Sequence, residues 1–172
     1  VMDAFGAAHR AHASTEGAVR RAGIACAGPL MAAELQAFGK VLHAPARPLA
    51  AVIGGSKVSS KLGLLENLLD RVDILIVGGG IANTFLAASG VDVAASLYEP
   101  DLLEASGNIM RKAADQGKAL PLPVDVVTAR ALEPGQNVAV HAVSEVPAGE
   151  MILDIGPRTV ALYEEMLGKA AT

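Results

Sequence analysis

Two short apolar runs, each closed by glycines and followed by helical spacing, restrict the fold of this chain most. Residues 49–53 are Leu, Ala, Ala, Val and Ile and end at Gly54-Gly55. Residues 74–77 are equally unbroken and end at Gly78-Gly79-Gly80. A strand with no polar side predicts burial on both faces, as in a parallel sheet covered by helices. Leu62, Leu65, Leu69 and Val72 then fall on one face of a helix expected over about 58–72, and a second helix is expected over about 81–89.

The rest of the chain extends the pattern. Residues 1–5 read as a short strand ending at Gly6, and 7–18 as a loop with a helical turn. Ala27-Gly28-Pro29 is a turn signal with Pro29 suited to the first helical position. Met31, Leu35, Phe38 and Leu42 recur at helical spacing through 30–42, and the prolines within 44–48 end that helix. A helix over 100–116, strands over 122–128, 137–142 and 151–154, and a closing helix over 157–169 complete the reading. Strands alternating with helices predict an α/β fold, a parallel sheet wrapped on both faces.

Composition excludes several classes of function. The net charge of −4 comes without a block of like charge, against the basic stripe of a nucleic-acid binder. No run approaches the roughly 20 apolar residues of a membrane span, and the N-terminus has no signal-peptide pattern. With three Phe, two Tyr and no Trp, the core is expected to be aliphatic. The single cysteine, Cys26, excludes an internal disulfide, suits a reducing cytoplasm and reads as a small buried apolar residue. A chain that opens on Val1 and runs at once into an apolar stretch reads as one met in mid-domain.

Three constellations bear on chemistry. In Gly54-Gly55-Ser56-Lys57-Val58-Ser59-Ser60-Lys61, glycines permit close backbone approach and an expected helix N-terminus offers N–H groups to an anion. Lys57 and Lys61, four apart, would share a helical face and clamp a phosphate, or simply be two solvated lysines. The spacing is not that of the Walker A loop. Gly78-Gly79-Gly80-Ile81-Ala82-Asn83 half matches a dinucleotide fingerprint, with Asn83 where a third glycine belongs and no acidic partner about twenty residues on. Its glycines suit a tight turn or a flat base lying on bare backbone. His9-Arg10-Ala11-His12 offers a fork for a carboxylate or phosphate, or is a solvated loop, and is too isolated for a zinc site. Asp125 and Asp154 suit either ligand orientation or turn capping.

Taken in order, Asp3-Ala4-Phe5-Gly6, His9-Arg10-Ala11-His12, the helix from Pro29, Gly54-Gly55-Ser56-Lys57-Val58, Gly78-Gly79-Gly80 and Leu153-Asp154-Ile155-Gly156-Pro157 resemble the phosphoglycerate kinases over essentially the whole chain. The resemblance implies doubly wound, Rossmann-like α/β/α domains joined by a hinge helix. Residues 1–28 would be the tail of the phosphoglycerate-binding domain, 29–44 the hinge and 45–172 the first half of the nucleotide domain. It implies reversible phosphoryl transfer between 1,3-bisphosphoglycerate and ADP, giving 3-phosphoglycerate and ATP, with magnesium, in a cytoplasmic glycolytic enzyme that is monomeric when complete.

Carried over by position, the resemblance makes Arg10 a phosphoglycerate ligand, with His9 beside it, and Lys57 the group that neutralises the phosphoryl in flight. It makes Lys61 a holder of the nucleotide phosphates, Gly55, Gly79 and Gly80 the backbone of the adenosine pocket, and Leu97 an adenine contact. The family's arginine-rich and Asp-x-Asn motifs, and its Trp-Asn-Gly-Pro and Gly-Gly-Gly-Asp-Thr segments, have no counterpart in these residues. The magnesium carboxylate is therefore expected outside this chain, and the 172 residues alone are expected to be inactive, weak in nucleotide binding and prone to aggregate at exposed apolar edges. A non-enzymatic nucleotide-binding module and a nicotinamide-dependent dehydrogenase are the alternatives.

Overall fold

The computed structural model describes residues 1–172, apart from the side chain of Leu42. The chain forms two compact units, Val1–Ala46 and Arg47–Thr172.

In the first unit the expected strand over 1–5 does not form. Met2 makes a single parallel bridge to Ala27, and a 3-10 turn takes Phe5–Ala7. A wide helical turn, Ala13–Gly17, forms within the stretch expected to hold one and runs on into α1 (Ala18–Arg21). Helix α2 (Pro29–His43) forms as the proline and apolar spacing predict. Its apolar stripe is not buried as spacing suggests. Met31 is buried, but Leu35 and Phe38 are exposed, and the expectation for Leu42 falls outside the described residues. Phe38 stacks at a tilt on Phe5, with ring centroids 5.8 Å apart. Cys26, expected to be buried, is exposed. It lies in a segment held by backbone alone, its carbonyl accepting from the Met2 amide (2.9 Å).

In the second unit, β1 (Ala50–Gly54) and β2 (Ile74–Gly78) pair in parallel, and Ala119 bridges in parallel to Ile74. Alternation along β2 builds the layers. Leu75 and Val77 enter one cluster with residues of α3 (Leu62–Leu69), α4 (Gly80–Ala88) and α5 (Leu103–Asp115). Ile74 and Ile76 pack on the opposite side against Tyr163, Leu162 and Met166 of α6 (Pro157–Gly168). Helices on both faces of a parallel sheet explain the unbroken apolar runs, since each side chain of β2 meets a helix. Leu65, Leu69 and Phe85 are wholly buried, each worth about 1.5–3 kcal/mol of removal from water.

Two features depart from the expected pattern. Helix α3 begins at Leu62, not near Val58, and ends at Leu69. Residues 58–61 instead form a turn, closed by the Lys61 amide on the Val58 carbonyl (2.8 Å), with Val58 buried beneath it. Burial of Leu65, Leu69 and Val72 holds although the helix is shorter. Second, β3 (Asp125–Ala129) lies between β4 (Ala139–Ala142) and β5 (Met151–Ile155), and both pairings are antiparallel. The nine-residue connection over 130–138 is too short for a parallel crossover from β3 to β4.

One capping device appears twice. Helices α2 and α6 each start at a Gly-Pro step with an aspartate arriving from an upstream segment. The Met31 amide donates to Asp3 Oδ1 (2.8 Å). The Arg158 and Thr159 amides donate to Asp125 Oδ2 (3.0 Å) and Oδ1 (2.7 Å). Each aspartate thus satisfies helix-start N–H groups that lack intrahelical partners. Asp125 is therefore a cap, the structural one of its two sequence readings.

Candidate functional site

The glycine turn after β2 opens into the main concavity of the second unit, a groove of about 700 Å³. Its floor is Gly78, Gly79 and Gly80 with Ile76 and Ala82. One wall carries Ser96, Leu97 and Tyr98, and 151–155 of β5 with Tyr163 continue the lining. The lining is mainly apolar, with Ser56, Asn83, Ser96, Asp154 and the two tyrosine hydroxyls as the polar exceptions. That chemistry suits a flat apolar ligand with a few polar edges. Burial pushes the Tyr163 phenol up to about 12, so it stays protonated and serves as wall.

Two glycines are required here for different reasons. Gly79 has φ +63°, a conformation that penalises any side chain. A Cβ on Gly80 would stand 2.5 Å from the Ser56 carbonyl oxygen. The turns at 54–57 and 78–81 are thus pressed together, and the Ile81 amide donates to the Gly55 carbonyl (3.1 Å). This contact brings the lysine-bearing segment to the rim of the groove. Ser56 lines the groove, and Lys57 follows it exposed in the turn. Lys61 is half-buried at the start of α3. Because 57–61 is a turn, the two lysines do not share a helical face, contrary to the spacing argument.

The wall at 93–99 is tied at several points. Asn83, buried at the third-glycine position of the half fingerprint, donates from Nδ2 to the Leu97 carbonyl (3.1 Å). Buried Ser96 accepts the Ile152 amide on Oγ (2.8 Å). The Glu99 amide donates to Thr84 Oγ1 (3.1 Å). These ties leave the Leu97 side chain 58% exposed on the groove, a large apolar group offered to a ligand.

The phosphoglycerate kinase family profile matches residues 1–172, the whole chain. The chain belongs to the phosphoglycerate kinase family. It is 66% identical over 172 residues to a phosphoglycerate kinase of Desulfovibrio desulfuricans, and 55% identical to one of Nitratidesulfovibrio vulgaris. Each alignment takes all of this chain and 44% of the relative, so the chain spans under half the length of the curated relatives it matches. The solved phosphoglycerate kinase of Coxiella burnetii superposes with a TM-score of 0.87 at 50% identity, covering 99% of this chain and 44% of that one. That of Pyrococcus horikoshii gives 0.77 at 28% identity, covering 98% and 43%.

In this member of the family, the site residues named from sequence fall into two groups. Gly79, Gly80 and Leu97 line the groove, and Gly55, Lys57 and Lys61 belong to the adjoining turn. His9 and Arg10 belong to the first unit, both exposed, with the Arg10 carbonyl accepting from the Thr15 hydroxyl and the His12 amide (2.9 Å). Among the described residues no three His, Cys, Asp or Glu side chains converge as a metal site. No helix is long and apolar enough to cross a membrane. Thr84, Ser59 and Glu99 escaped the sequence reading, which took Asn83 only as a missing third glycine. Their roles depend on pairings 14 to 40 residues apart, which no local spacing displays.

Proposed function

We propose that these residues are the nucleotide side of a phosphoglycerate kinase, which moves a phosphoryl group between 1,3-bisphosphoglycerate and ADP in cytoplasmic glycolysis. One observation carries the reading: a glycine-floored, largely apolar groove with Leu97 on its wall meets a two-lysine turn through the Ser56–Gly80 contact. Adenosine would lie over Gly79 and Gly80 against Leu97, and its phosphates would run past Gly55 towards Lys61 and Lys57. Phosphoryl transfer asks the protein for alignment and for cancellation of negative charge rather than covalent help, and two ammonium groups at the rim suit that demand.

In this reading Lys57 meets the phosphoryl in flight, Lys61 the nucleotide phosphates, and Arg10 with His9 the phosphoglycerate. Residues 1–28 are the end of the phosphoglycerate domain, 29–44 the hinge and 45–172 the first half of the nucleotide domain. The nucleotide arrives as its magnesium complex, and no residue of this chain is assigned to the metal. The 172 residues alone are expected to be without turnover, because they span 44% of the length of the relatives they match.

The groove assignment is tested by amide hydrogen exchange on a full-length chain carrying these residues. MgADP is expected to slow exchange at 78–84, 95–99 and 151–155, and NADH is not. Protection by NADH but not MgADP would favour the dehydrogenase alternative and overturn the assignment.

A further inference from the structure

Between Lys57 and Lys61 sits Ser59, and both of its polar groups end on one carboxylate from 40 residues away. The Ser59 amide donates to Glu99 Oε2 (2.9 Å), and its hydroxyl donates to Oε1 (2.6 Å). Glu99 is itself anchored, since its amide donates to the hydroxyl of wholly buried Thr84, which donates to the Gly80 carbonyl (3.1 Å). Within the turn, the Lys61 amide donates to the Val58 carbonyl (2.8 Å). Ser60 bonds only back to the Lys57 carbonyl (3.0 Å), and Val58 alone reaches the core.

Electrostatics makes the placement informative. The Ser59 hydroxyl, the Ser59 and Val58 amides and the charge of Lys57 together hold the Glu99 carboxyl below its ordinary value, so it is anionic at neutral pH. An anion beside lysines meant for phosphates opposes the binding of a negatively charged ligand. Its value must lie elsewhere, in fixing where the lysines stand.

We propose that Glu99 is a positioning residue that clamps Ser59 and so sets the Lys57–Lys61 turn for phosphoryl transfer. It also ties this turn to the Leu97 wall, two residues before it in the chain, so the base side and the phosphate side of the groove move as one piece. The inference rests on the nucleotide reading above.

Glu99→Gln is the test, made in a full-length chain. An amide can accept one of the two Ser59 bonds and carries no charge. Misplacing a charged group by a fraction of an ångström lowers turnover steeply, so kcat is expected to fall by about tenfold. Losing an anion from the rim should leave KM for MgATP unchanged or lower it, which a merely structural loss would not do. In a Ser59→Ala background the same substitution should cost less than about half as much, because the clamp is already broken on one side. Unchanged kcat, a rise in KM matching the fall in kcat, or an equal loss in the Ser59→Ala background would each overturn the proposal. Should Glu99→Gln not fold, Ser59→Ala alone is expected to lower kcat about threefold at constant KM, and no change would overturn it. The parent's turnover, and its loss on Lys57→Ala, test the nucleotide reading separately. A parent without turnover overturns both, whereas an active parent indifferent to Glu99→Gln overturns this inference alone.

Discussion

Replacing Lys57 by Ala in a full-length chain is expected to lower kcat by about 10²- to 10³-fold, the scale of removing one preorganised charge-stabilising group. KM for MgADP should move by less than about threefold. The asymmetry follows from the geometry. The groove is lined by Gly78–Gly80, Leu97 and 151–155, and Lys57 lies outside it, exposed in the adjoining turn. Removing its ammonium leaves the base-binding surface intact. In the proposed reading it removes positive charge where negative charge gathers during transfer. An interaction made in the transition state and not in the ground state appears in kcat. Lys61, half-buried at the start of α3, is expected to behave in the opposite sense, with Lys61→Ala raising KM more than it lowers kcat. Steady-state kinetics of the two variants checks this. Equal loss of turnover and affinity in Lys57→Ala would remove the role assigned to that residue.

Gly156→Ala is expected to destabilise the second unit by about 2–4 kcal/mol. A Cβ there would stand 2.5 Å from Asp125 Oδ2 and 2.7 Å from Oδ1. That carboxylate cannot step aside, because it already accepts the Arg158 and Thr159 amides and the Thr159 hydroxyl (2.7 Å). Asp125→Ala is expected to cost about 2 kcal/mol by orphaning the same buried amides. Urea unfolding at fixed pH measures both, and a change below about 0.5 kcal/mol in Gly156→Ala would contradict the packing described.

The pH dependence has a definite sign. Burial pushes the Asp125 carboxyl up, but the Thr159 hydroxyl and the two helix amides outweigh it, and the net value lies below the ordinary 3.8. A carboxyl with a lowered folded-state value contributes stability above its unfolded value and loses it as pH falls through the folded one. The wild-type advantage over Asp125→Ala should therefore be full at neutral pH and shrink below about pH 4.

Much of this was legible from residues 49–80. Two unbroken apolar runs ending in glycines predict strands buried on both faces; β2 is that, whereas β1 pairs with it in parallel but leaves Val52 59% exposed. The family was legible because its marks recur in order along the whole chain, and the profile match over 1–172 agrees. The illegible parts share a cause. Residues 58–61 have helix-compatible spacing, yet Val58 is drawn into the core and Ser59 to Glu99, so a turn forms where local preference allowed a helix. Exposure of Cys26, Leu35 and Phe38 likewise reflects which surfaces meet, and spacing reports only which residues share a face. Asn83 looked like a defect in a glycine fingerprint. Its value lies in a bond to Leu97, fourteen positions on.

The central claim is most directly tested by exchange of this segment into a relative. The corresponding stretch of the Desulfovibrio desulfuricans phosphoglycerate kinase, 66% identical, would be replaced by these 172 residues. ATP-dependent phosphorylation of 3-phosphoglycerate would then be measured in the full-length chimera. Turnover within about tenfold of the parent is the expected result, since the groove, the lysine turn and Arg10 would all come from this chain. A chimera that folds and is stable, yet transfers no phosphoryl group, would contradict the account.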